Sequence, residues 1–291
     1  VRFLVTGATG FLGGAIARRL VADGHRVRGT GRRLAQGAAL TGCGVEFAAA
    51  DLADSDAAAP LVHDVDCVIH CAGLAPPWGR AADFEASNVT ATAHLLDASE
   101  AADVRRFVHL STPTVYANGQ PRLGVRERDP LPARPANHYA ASKRKADTLV
   151  AAAHARGLTS VWLRPRAIFG PGDATILPRL IRAMGRGGLP IIGSGDTLID
   201  LTYIDNAVDG VLAAANAPDQ VCGRAYNLSN GAPTALWPLA ARIADELGLE
   251  PPSRRVHTGL ATALAGALEM VHSVLPGRPE PRLTRHAVSV M

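Results

Sequence analysis

A tyrosine and a lysine four residues apart form the pair in this sequence best suited to proton transfer. Tyr139 and Lys143 stand at i and i+4, so a helix through this segment places both side chains on one face, one turn apart. A free phenol, with a pKa of about 10, is a poor acid or base at neutral pH. A nearby ammonium stabilises the phenolate and brings its pKa toward the working range. The spacing predicts that Lys143 tunes Tyr139 as an acid–base group.

The same spacing is common on ordinary surface helices, so a second signal is needed, and the start of the chain supplies one. An apolar run at residues 2–5 leads into TGATGFLG at residues 6–13, and apolar residues at helical spacing follow. Gly7 permits a tight turn, Gly10 lets the backbone approach a phosphate, and Gly13 lets helix and strand pack closely. The helix N-terminus then offers free N–H groups and a positive dipole end. The pattern predicts a dinucleotide pyrophosphate site, the alternative being a glycine turn without a ligand.

The turn after the second apolar run predicts which adenosine ribose the site accepts. An acidic residue there bonds the ribose 2′-OH, whereas an arginine accommodates a 2′-phosphate. Here Gly31 is followed by Arg32 and Arg33, two guanidiniums that can bind a phosphate, with no carboxylate to repel it. NADP(H) is therefore favoured over NAD(H), the alternative being two solvated arginines at a helix start. Asp51 and Leu52, after the third run, are placed to meet the adenine.

Two hydroxyl residues, Ser111 and Thr112, end the fifth apolar run. Open parallel sheets present ligands beyond the carboxyl ends of their strands, so a hydroxyl there is placed to hold a substrate oxygen. The alternative for Ser111 is that it only caps the strand end. His70 and His109 lie within apolar runs and His138 stands beside the tyrosine, without a cluster that implies a metal or a catalytic triad. We interpret these histidines as structural and predict no metal.

Short apolar runs alternate with helical patterns and would position these groups. The alternation predicts an α/β fold, a doubly wound parallel sheet of about seven strands with helices on both faces. Several runs are nearly continuous in apolar residues, as expected of strands buried on both sides. The predicted strands lie at residues 2–5, 26–30, 45–48, 67–71, 107–110, 160–163 and 225–228.

The regular alternation of predicted strands and helices ends after residue 163, where Pro165, Gly172 and Pro178 interrupt it. A substrate region is predicted here, while residues 204–228, one helix and one strand, return to the sheet. The predicted division assigns residues 1–165 and 204–228 to a dinucleotide-binding domain, and residues 166–203 and 229–291 to a small C-terminal substrate domain.

Composition excludes several classes of partner. A chain of 291 residues with 47% hydrophobic residues can bury a large core. The net charge of +4 is spread without a basic stripe, which argues against nucleic acid. Four cysteines without metal-ligand spacing, and no secretion signal, predict a cytoplasmic protein with reduced thiols. Residues 260–275 are short for a bilayer span and predict an amphipathic helix, which either caps a substrate pocket or packs on the small domain.

Motifs along nearly the whole chain resemble those of the extended short-chain dehydrogenase/reductase family. They are TGATGFLGG at 6–14, DL at 51–52, HCAG at 70–73, LSTPTVY at 110–116, YAASK at 139–143 and RPRAIFGPGD at 164–173. The resemblance implies a Rossmann sheet with a small substrate domain. It implies catalysis by Tyr139, Lys143 and Thr112, with Ser111 as a neighbour. The implied cofactor contacts are Gly7, Thr9, Gly10, Phe11, Leu12, Gly13, Arg32, Arg33, Asp51, Leu52, Cys71, Ala72, Gly73, Tyr139, Lys143, Pro165 and Ile168.

Further segments are similar to the 3-beta-hydroxysteroid dehydrogenase branch of that family, and particularly to bacterial 2-alkyl-3-oxoalkanoate reductases. They are Trp78-Gly79, DLTYIDN at 200–206, ALW at 235–237 and PEPRLTR at 279–285. Nucleotide-sugar epimerases and dehydratases share the catalytic motifs. They usually carry an asparagine at the position of Ala167 and an arginine at that of Ile199, both of which serve the sugar-nucleotide phosphates. The resemblance therefore argues against a diphosphate substrate.

The resulting prediction is an NADP(H)-dependent ketoreductase that interconverts a ketone and a secondary alcohol on a largely apolar small molecule. One alternative is a nucleotide-sugar epimerase or dehydratase with tightly bound NAD(P). Another is a non-catalytic NADP(H)-sensing regulator, although that class usually lacks the tyrosine–lysine pair. Family habit implies a homodimer. The predicted substrate contacts, each with core packing as its alternative, are Trp78, Thr112, Ile176, Leu177 and Tyr203.

Overall fold

The structure is a computed structural model and describes residues 1–185 and 189–291. In it the apolar runs form the strands of a central sheet. All seven predicted sheet strands are present, with bounds that differ from the predicted ones by at most two residues at either end. The strands are β1 (Arg2–Thr6), β2 (Arg26–Gly31), β3 (Glu46–Ala49), β4 (Cys67–His70), β5 (Arg106–Leu110), β6 (Ser160–Pro165), β7 (Ile168–Phe169), β8 (Ile191–Ile192), β9 (Leu198–Ile199), β10 (Thr202–Tyr203), β11 (Ala225–Leu228), β12 (Thr234–Ala235) and β13 (Arg255–Val256).

The central sheet confirms the predicted doubly wound architecture. Its order is β11-β6-β5-β4-β1-β2-β3, and every neighbouring pair is parallel. Strand order reverses at β1, which lies between β2 and β4. Thr6 at the end of β1 is in register with Thr30 and His70, so the carboxyl ends of these strands meet at one edge. Ligands of open parallel sheets bind at such a switch point.

Helices cover both faces of the sheet, because alternate residues of each buried strand point to opposite sides. The helices are α1 (Phe11–Ala22), α2 (Leu34–Thr41), α3 (Ala58–Val62), α4 (Ala81–Phe84), α5 (Ala91–Ala101), α6 (His138–Arg156), α7 (Ile176–Met184), α8 (Ile204–Asn216), α9 (Leu236–Glu246), α10 (Thr258–Val274) and α11 (Arg285–Ser289). Phe3 and Val5 pack with α1 and α8 in one apolar cluster, while Leu4 packs with α3, α5 and α6 in the other.

A third apolar cluster lies in the C-terminal part of the chain, where Ile192, Trp237, Ala261, Ala265 and Val288 bury one another. The predicted helix at residues 260–275 is present as α10, which contributes two of these residues. The predicted division into two domains stays a prediction, and this separate cluster supports it. Among the described residues no helix is long and apolar enough to cross a membrane.

The fourth predicted strand was one residue too long. It included Cys71, whereas β4 ends at His70. The chain leaves the sheet after His70. Ala72, two residues later, donates its N–H to Thr6 Oγ1 at 3.1 Å and not to a neighbouring strand. Cys71, Ala72 and Gly73 therefore lie in the loop that faces the glycine turn after β1.

Candidate active site

The turn between β1 and α1 can pack as closely as it does only because its glycines lack side chains. Gly7 has a φ of +65°, and a Cβ there would lie 2.7 Å from the backbone N of Ala72. A Cβ on Gly13 would clash with the carbonyl oxygen of Gly7. Gly10 is the N-cap of α1 and supplies no side-chain cap, so the first N–H groups of the helix are left for another acceptor. These residues fit a dinucleotide pyrophosphate.

The residues predicted to bind the adenosine end lie at the neighbouring strand ends. Gly31 packs so closely on Thr9 that a Cβ would lie 2.6 Å from Thr9 Oγ1. Arg32 and Arg33 are exposed, and within the described ranges neither guanidinium makes an ion pair. Asp51 is exposed and accepts a hydrogen bond from Ala53 N at 3.1 Å. Leu52 is buried. Their assignment to the cofactor stays a prediction.

Helix α6 carries the tyrosine–lysine pair on one face, as the spacing predicts. Asn137 caps the helix, with its Oδ1 accepting from Ala140 N at 2.8 Å, so the first turn begins directly before Tyr139. The Tyr139 ring is partly buried and lies 6.3 Å from that of Phe84, measured between centroids. Lys143, one turn later, is buried beneath the sheet edge.

Lys143 is held at the end of β5. Its Nζ donates to Leu110 O at 2.6 Å and lies 3.2 Å from His109 Nε2. Burial lowers the pKa of Lys143 to about 8, and the negative charge of Asp147 opposes that change. The side chain is therefore largely an ammonium at neutral pH, as a group that stabilises a phenolate must be.

Of the two predicted hydroxyl residues, Thr112 is the one that affects the pKa of the tyrosine. Burial raises the pKa of Tyr139, and the nearby Thr112 side chain partly opposes the rise. Thr112 Oγ1 also accepts from Thr114 N at 3.2 Å, which fixes it at the start of the short 3₁₀ helix Pro113–Tyr116. Ser111 is buried, and its Oγ has no hydrogen-bond partner among the described residues.

Behind the glycine turn runs a chain of hydrogen bonds that the sequence analysis did not predict. Thr6 Oγ1 lies 2.8 Å from His70 Nδ1, His70 Nε2 lies 2.9 Å from Thr92 Oγ1, and Thr92 Oγ1 donates to Asn88 O at 2.7 Å. Thr92 is a donor in the last bond, so His70 donates from Nε2 and accepts at Nδ1. Burial lowers the pKa of His70 to about 3, so the imidazole is neutral. This agrees with the structural role predicted for His70.

Asn88 continues the network to the catalytic helix. Its Oδ1 accepts from Leu74 N at 2.7 Å, and its Nδ2 donates to Ser142 Oγ at 2.9 Å. Ser142 Oγ in turn donates to the Tyr139 carbonyl at 2.9 Å. Asn88 lies in the π-helical segment Glu85–Thr90, a distortion often found at functional sites. No spacing around Asn88 marks it in the sequence, whereas Ser142 stands inside the YAASK motif.

The predicted substrate residues other than Thr112 lie in three separate parts of the fold and are all partly buried. Trp78 donates from Nε1 to Arg278 O at 3.1 Å, which joins the loop after β4 to the C-terminal segment. Ile176 and Leu177 begin α7, and the Tyr203 ring lies 5.5 Å from that of Phe169. Their role toward a substrate stays a prediction. Among the described residues no group of His, Cys, Asp and Glu could hold a metal ion.

Comparison with known proteins agrees with this geometry. Residues 3–229 match the NAD dependent epimerase/dehydratase family. A 2-alkyl-3-oxoalkanoate reductase from Shewanella oneidensis is 34% identical over 294 residues, which cover 97% of this chain and 75% of that protein. A sterol-4-alpha-carboxylate 3-dehydrogenase from Bos taurus is 29% identical over 261 residues, 88% of this chain and 72% of that protein.

A solved structure of a related enzyme has the same fold as this chain. The dTDP-glucose 4,6-dehydratase DesIV from Streptomyces venezuelae, with NAD bound, matches with a TM-score of 0.75 and 27% identity, over 88% of this chain and 84% of that one. The predicted resemblance to extended short-chain dehydrogenases, and to the reductase branch within them, is confirmed. With this sheet and this family match, the chain belongs to the NAD dependent epimerase/dehydratase family and is a nicotinamide-dependent enzyme that acts on hydroxyl or ketone groups.

Proposed function

We propose that this protein is an NADP(H)-dependent ketoreductase that interconverts a ketone and a secondary alcohol on a largely apolar small molecule. The observation that carries the proposal is that Tyr139 and Lys143 share one face of α6 and that Lys143 is bound at the end of β5, directly before Ser111 and Thr112. Carbonyl reduction needs an acid that protonates the substrate oxygen, a hydroxyl that hydrogen-bonds that oxygen, and a cation that stabilises the deprotonated acid.

Each of the three side chains has a separate task. A bound nicotinamide supplies or accepts the hydride. In the reducing direction, Tyr139 donates the proton of its hydroxyl to the substrate oxygen, while Thr112 Oγ1 hydrogen-bonds that oxygen. The raised pKa of Tyr139 keeps the phenol protonated and ready to donate. The Lys143 ammonium then stabilises the phenolate that remains.

The apolar substrate class is supported by what the chain lacks and by what its relatives do. Ala167 and Ile199 stand where sugar-nucleotide enzymes usually carry groups for the substrate phosphates. The Shewanella relative is named as a reductase of 2-alkyl-3-oxoalkanoates, which are ketones with alkyl chains. Trp78, Ile176 and Leu177 would give such chains apolar surface. A 2-alkyl-3-oxoalkanoate is therefore the first substrate to test.

The test replaces Tyr139→Phe, which removes the proton donor and keeps the ring. We expect turnover of a 2-alkyl-3-oxoalkanoate with NADPH to fall by roughly 100- to 10,000-fold, since a positioned acid contributes that much. NADPH binding, measured by fluorescence titration, should remain. Tyr226→Phe is the matched control. The Tyr226 hydroxyl lies on the edge strand β11 and donates to Val221 O, so its loss should leave turnover unchanged.

Three results would contradict the proposal. Unchanged turnover in Tyr139→Phe would refute the assigned acid. Activity of the unaltered protein on nucleotide sugars, with cofactor that does not exchange with solution, would identify an epimerase or dehydratase instead. Binding of NADPH without turnover of any ketone would favour the regulator.

A further inference from the structure

A buried ion pair lies directly behind Lys143 and has no part in the mechanism described so far. Asp147 Oδ2 lies 2.8 Å from Arg164 Nη2, and both side chains are less than a tenth exposed. Asp147 is one turn after Lys143 on α6 and two turns after Tyr139, so all three share a helix face. Arg164 is held from the other side by the hydroxyl of Tyr116, whose ring also lies 4.8 Å from the guanidinium carbon.

His109 stands between the lysine and this ion pair. Its Nε2 is 3.2 Å from Lys143 Nζ and 3.8 Å from Asp147 Oδ1. An ammonium only donates hydrogen bonds, so Nε2 accepts and the imidazole carries its proton on Nδ1. Burial and the charge of Lys143 lower the pKa of His109 well below its usual value. A neutral ring therefore separates one cation from one anion.

The second oxygen of the carboxylate lies on the His109 side. Within the described part of the chain, Asp147 Oδ1 has no hydrogen-bond partner. A buried carboxylate oxygen without a donor is costly unless a cation compensates it. Arg164 pairs with Oδ2, whereas Oδ1 lies 3.8 Å from His109 Nε2, the atom that Lys143 Nζ contacts at 3.2 Å.

The remaining titratable groups around Lys143 carry no negative charge. Burial raises the pKa of the Cys71 thiol to about 12 and lowers that of His70 to about 3, so both groups are neutral at pH 8. Tyr139, on the same helix, also has a raised pKa. Arg164, on β6, adds positive charge. Burial raises the pKa of Asp147, and the charge of Arg164 opposes that rise, so the ion pair with Arg164 keeps Asp147 an anion beside Lys143.

We propose that Asp147 is a positioning residue that keeps Lys143 protonated, acting through space beside His109 and anchored by Arg164. Removing its charge leaves a buried ammonium with no compensating anion, which favours the neutral amine. The charge of Lys143 can be measured without substrate. Only the effect on the pH dependence of ketone reduction rests on the proposed function.

The composition of the chain allows a direct measurement. Of the 30 cationic side chains only Lys143 and Lys145 are lysines, so protein labelled with [ε-¹³C]lysine gives two NMR signals. Lys145 is exposed and paired with Glu85 at 2.9 Å, which makes it an internal reference. We expect the Lys143 signal to titrate near pH 8 in the unaltered protein. In Asp147→Asn its midpoint should fall by about one pH unit or more.

Two further variants test charge against shape. Asp147→Glu keeps the charge and should return the Lys143 midpoint toward that of the unaltered protein. Glu85→Gln removes an acid from the same region but faces Lys145, so it should leave the Lys143 midpoint in place. An unchanged Lys143 midpoint in folded Asp147→Asn would overturn the proposal.

Asp147→Asn leaves Arg164 buried without an ionic partner and can fail to fold for that reason. The double variant Asp147→Asn/Arg164→Gln removes both charges, and the same fall of the Lys143 midpoint is expected there. A midpoint that stays near pH 8 in the double variant would equally overturn the proposal.

The kinetic consequence follows with a definite sign. The protonated lysine is the active form, so a lower Lys143 pKa moves the high-pH loss of ketone reduction to lower pH, while activity at pH 6 is retained. If the unaltered protein reduces no ketone, the proposed function fails and the NMR titration still decides this proposal. If it reduces ketones but the midpoint does not move, this proposal alone fails.

Discussion

Arg32 and Arg33 are the residues on which the cofactor preference depends. They follow the end of β2, are exposed, and make no ion pair within the described ranges, so their guanidiniums are available to a phosphate. An arginine can bind a phosphate through two parallel N–H donors. The 2′-phosphate of NADP(H) offers acceptors for both donors, whereas the ribose 2′-OH of NAD(H) does not. The preference for NADP(H) remains a prediction that binding measurements can decide.

We expect the Arg32→Ala/Arg33→Ala variant to bind NADPH roughly 10- to 100-fold more weakly, because each charge-assisted hydrogen bond contributes about 1.5–3 kcal/mol before solvent screening. Its affinity for NADH should be unchanged. Fluorescence titration with both cofactors measures the two dissociation constants. The control is Arg242→Ala/Arg254→Ala, which removes two exposed arginines outside the predicted site. Equal affinity of the unaltered protein for NADPH and NADH would overturn the cofactor prediction.

At the scale of elements, α6 is positioned from both sides. Asn88 and Ser142 hold its first turns against the loop after β4, and Lys143 holds it to the end of β5. Its C-terminal end depends on a backbone conformation instead. Gly157 ends the helix with a φ of +123°, after which Leu158 N bonds back to Ala153 O at 3.1 Å. An L side chain rarely adopts that conformation.

Replacing Gly157→Ala should therefore lower the free energy of unfolding by roughly 1–2 kcal/mol, although a Cβ there would touch no other atom. Gly42→Ala is the matched control. Gly42 also ends a helix, α2, but with a φ of −61° and only ordinary contacts around a Cβ, so alanine should be neutral or stabilise by about 0.5 kcal/mol. Urea denaturation measures both. Equal effects of the two substitutions would show that backbone strain is not the cause.

For the whole molecule, two buried neutral histidines make stability depend on pH. His70 and His109 are paired in register on β4 and β5, with ring centroids 5.3 Å apart. Burial lowers both pKa values, that of His70 to about 3. The unfolded chain binds more protons than the native one below the ordinary histidine pKa, so stability is full above that value and falls as the pH drops toward the native pKa.

Lowering the pH from 7 to 5 should thus reduce the free energy of unfolding by about 2 kcal/mol for each of these histidines. Urea denaturation across that range measures the slope. His109→Gln should show a shallower slope than the unaltered protein, whereas His63→Gln, at an exposed position, should keep it. A slope that does not change in His109→Gln would contradict the assignment of a neutral buried imidazole.

Much of this protein follows from local patterns. Continuous apolar runs mark strands buried on both faces, which is why all seven sheet strands were predicted to within one or two residues. The glycines before α1 and the spacing of Tyr139 and Lys143 have local causes as well, since a tight turn and a helix face each depend on a few adjacent residues. The cytoplasmic location stays a prediction from the cysteines and the start of the chain, and the homodimer stays a prediction from the resemblance.

What the sequence by itself determined was the fold class, the glycine turn and the acid–base pair, because each depends on periodicity or on neighbours along the chain. Only the tertiary structure showed that Asn88, His109, Asp147 and Arg164 surround the pair. These residues come from a π-helical segment, two strands and a helix. Their contacts arise from sheet order and helix packing across many residues of chain, and no local pattern records them.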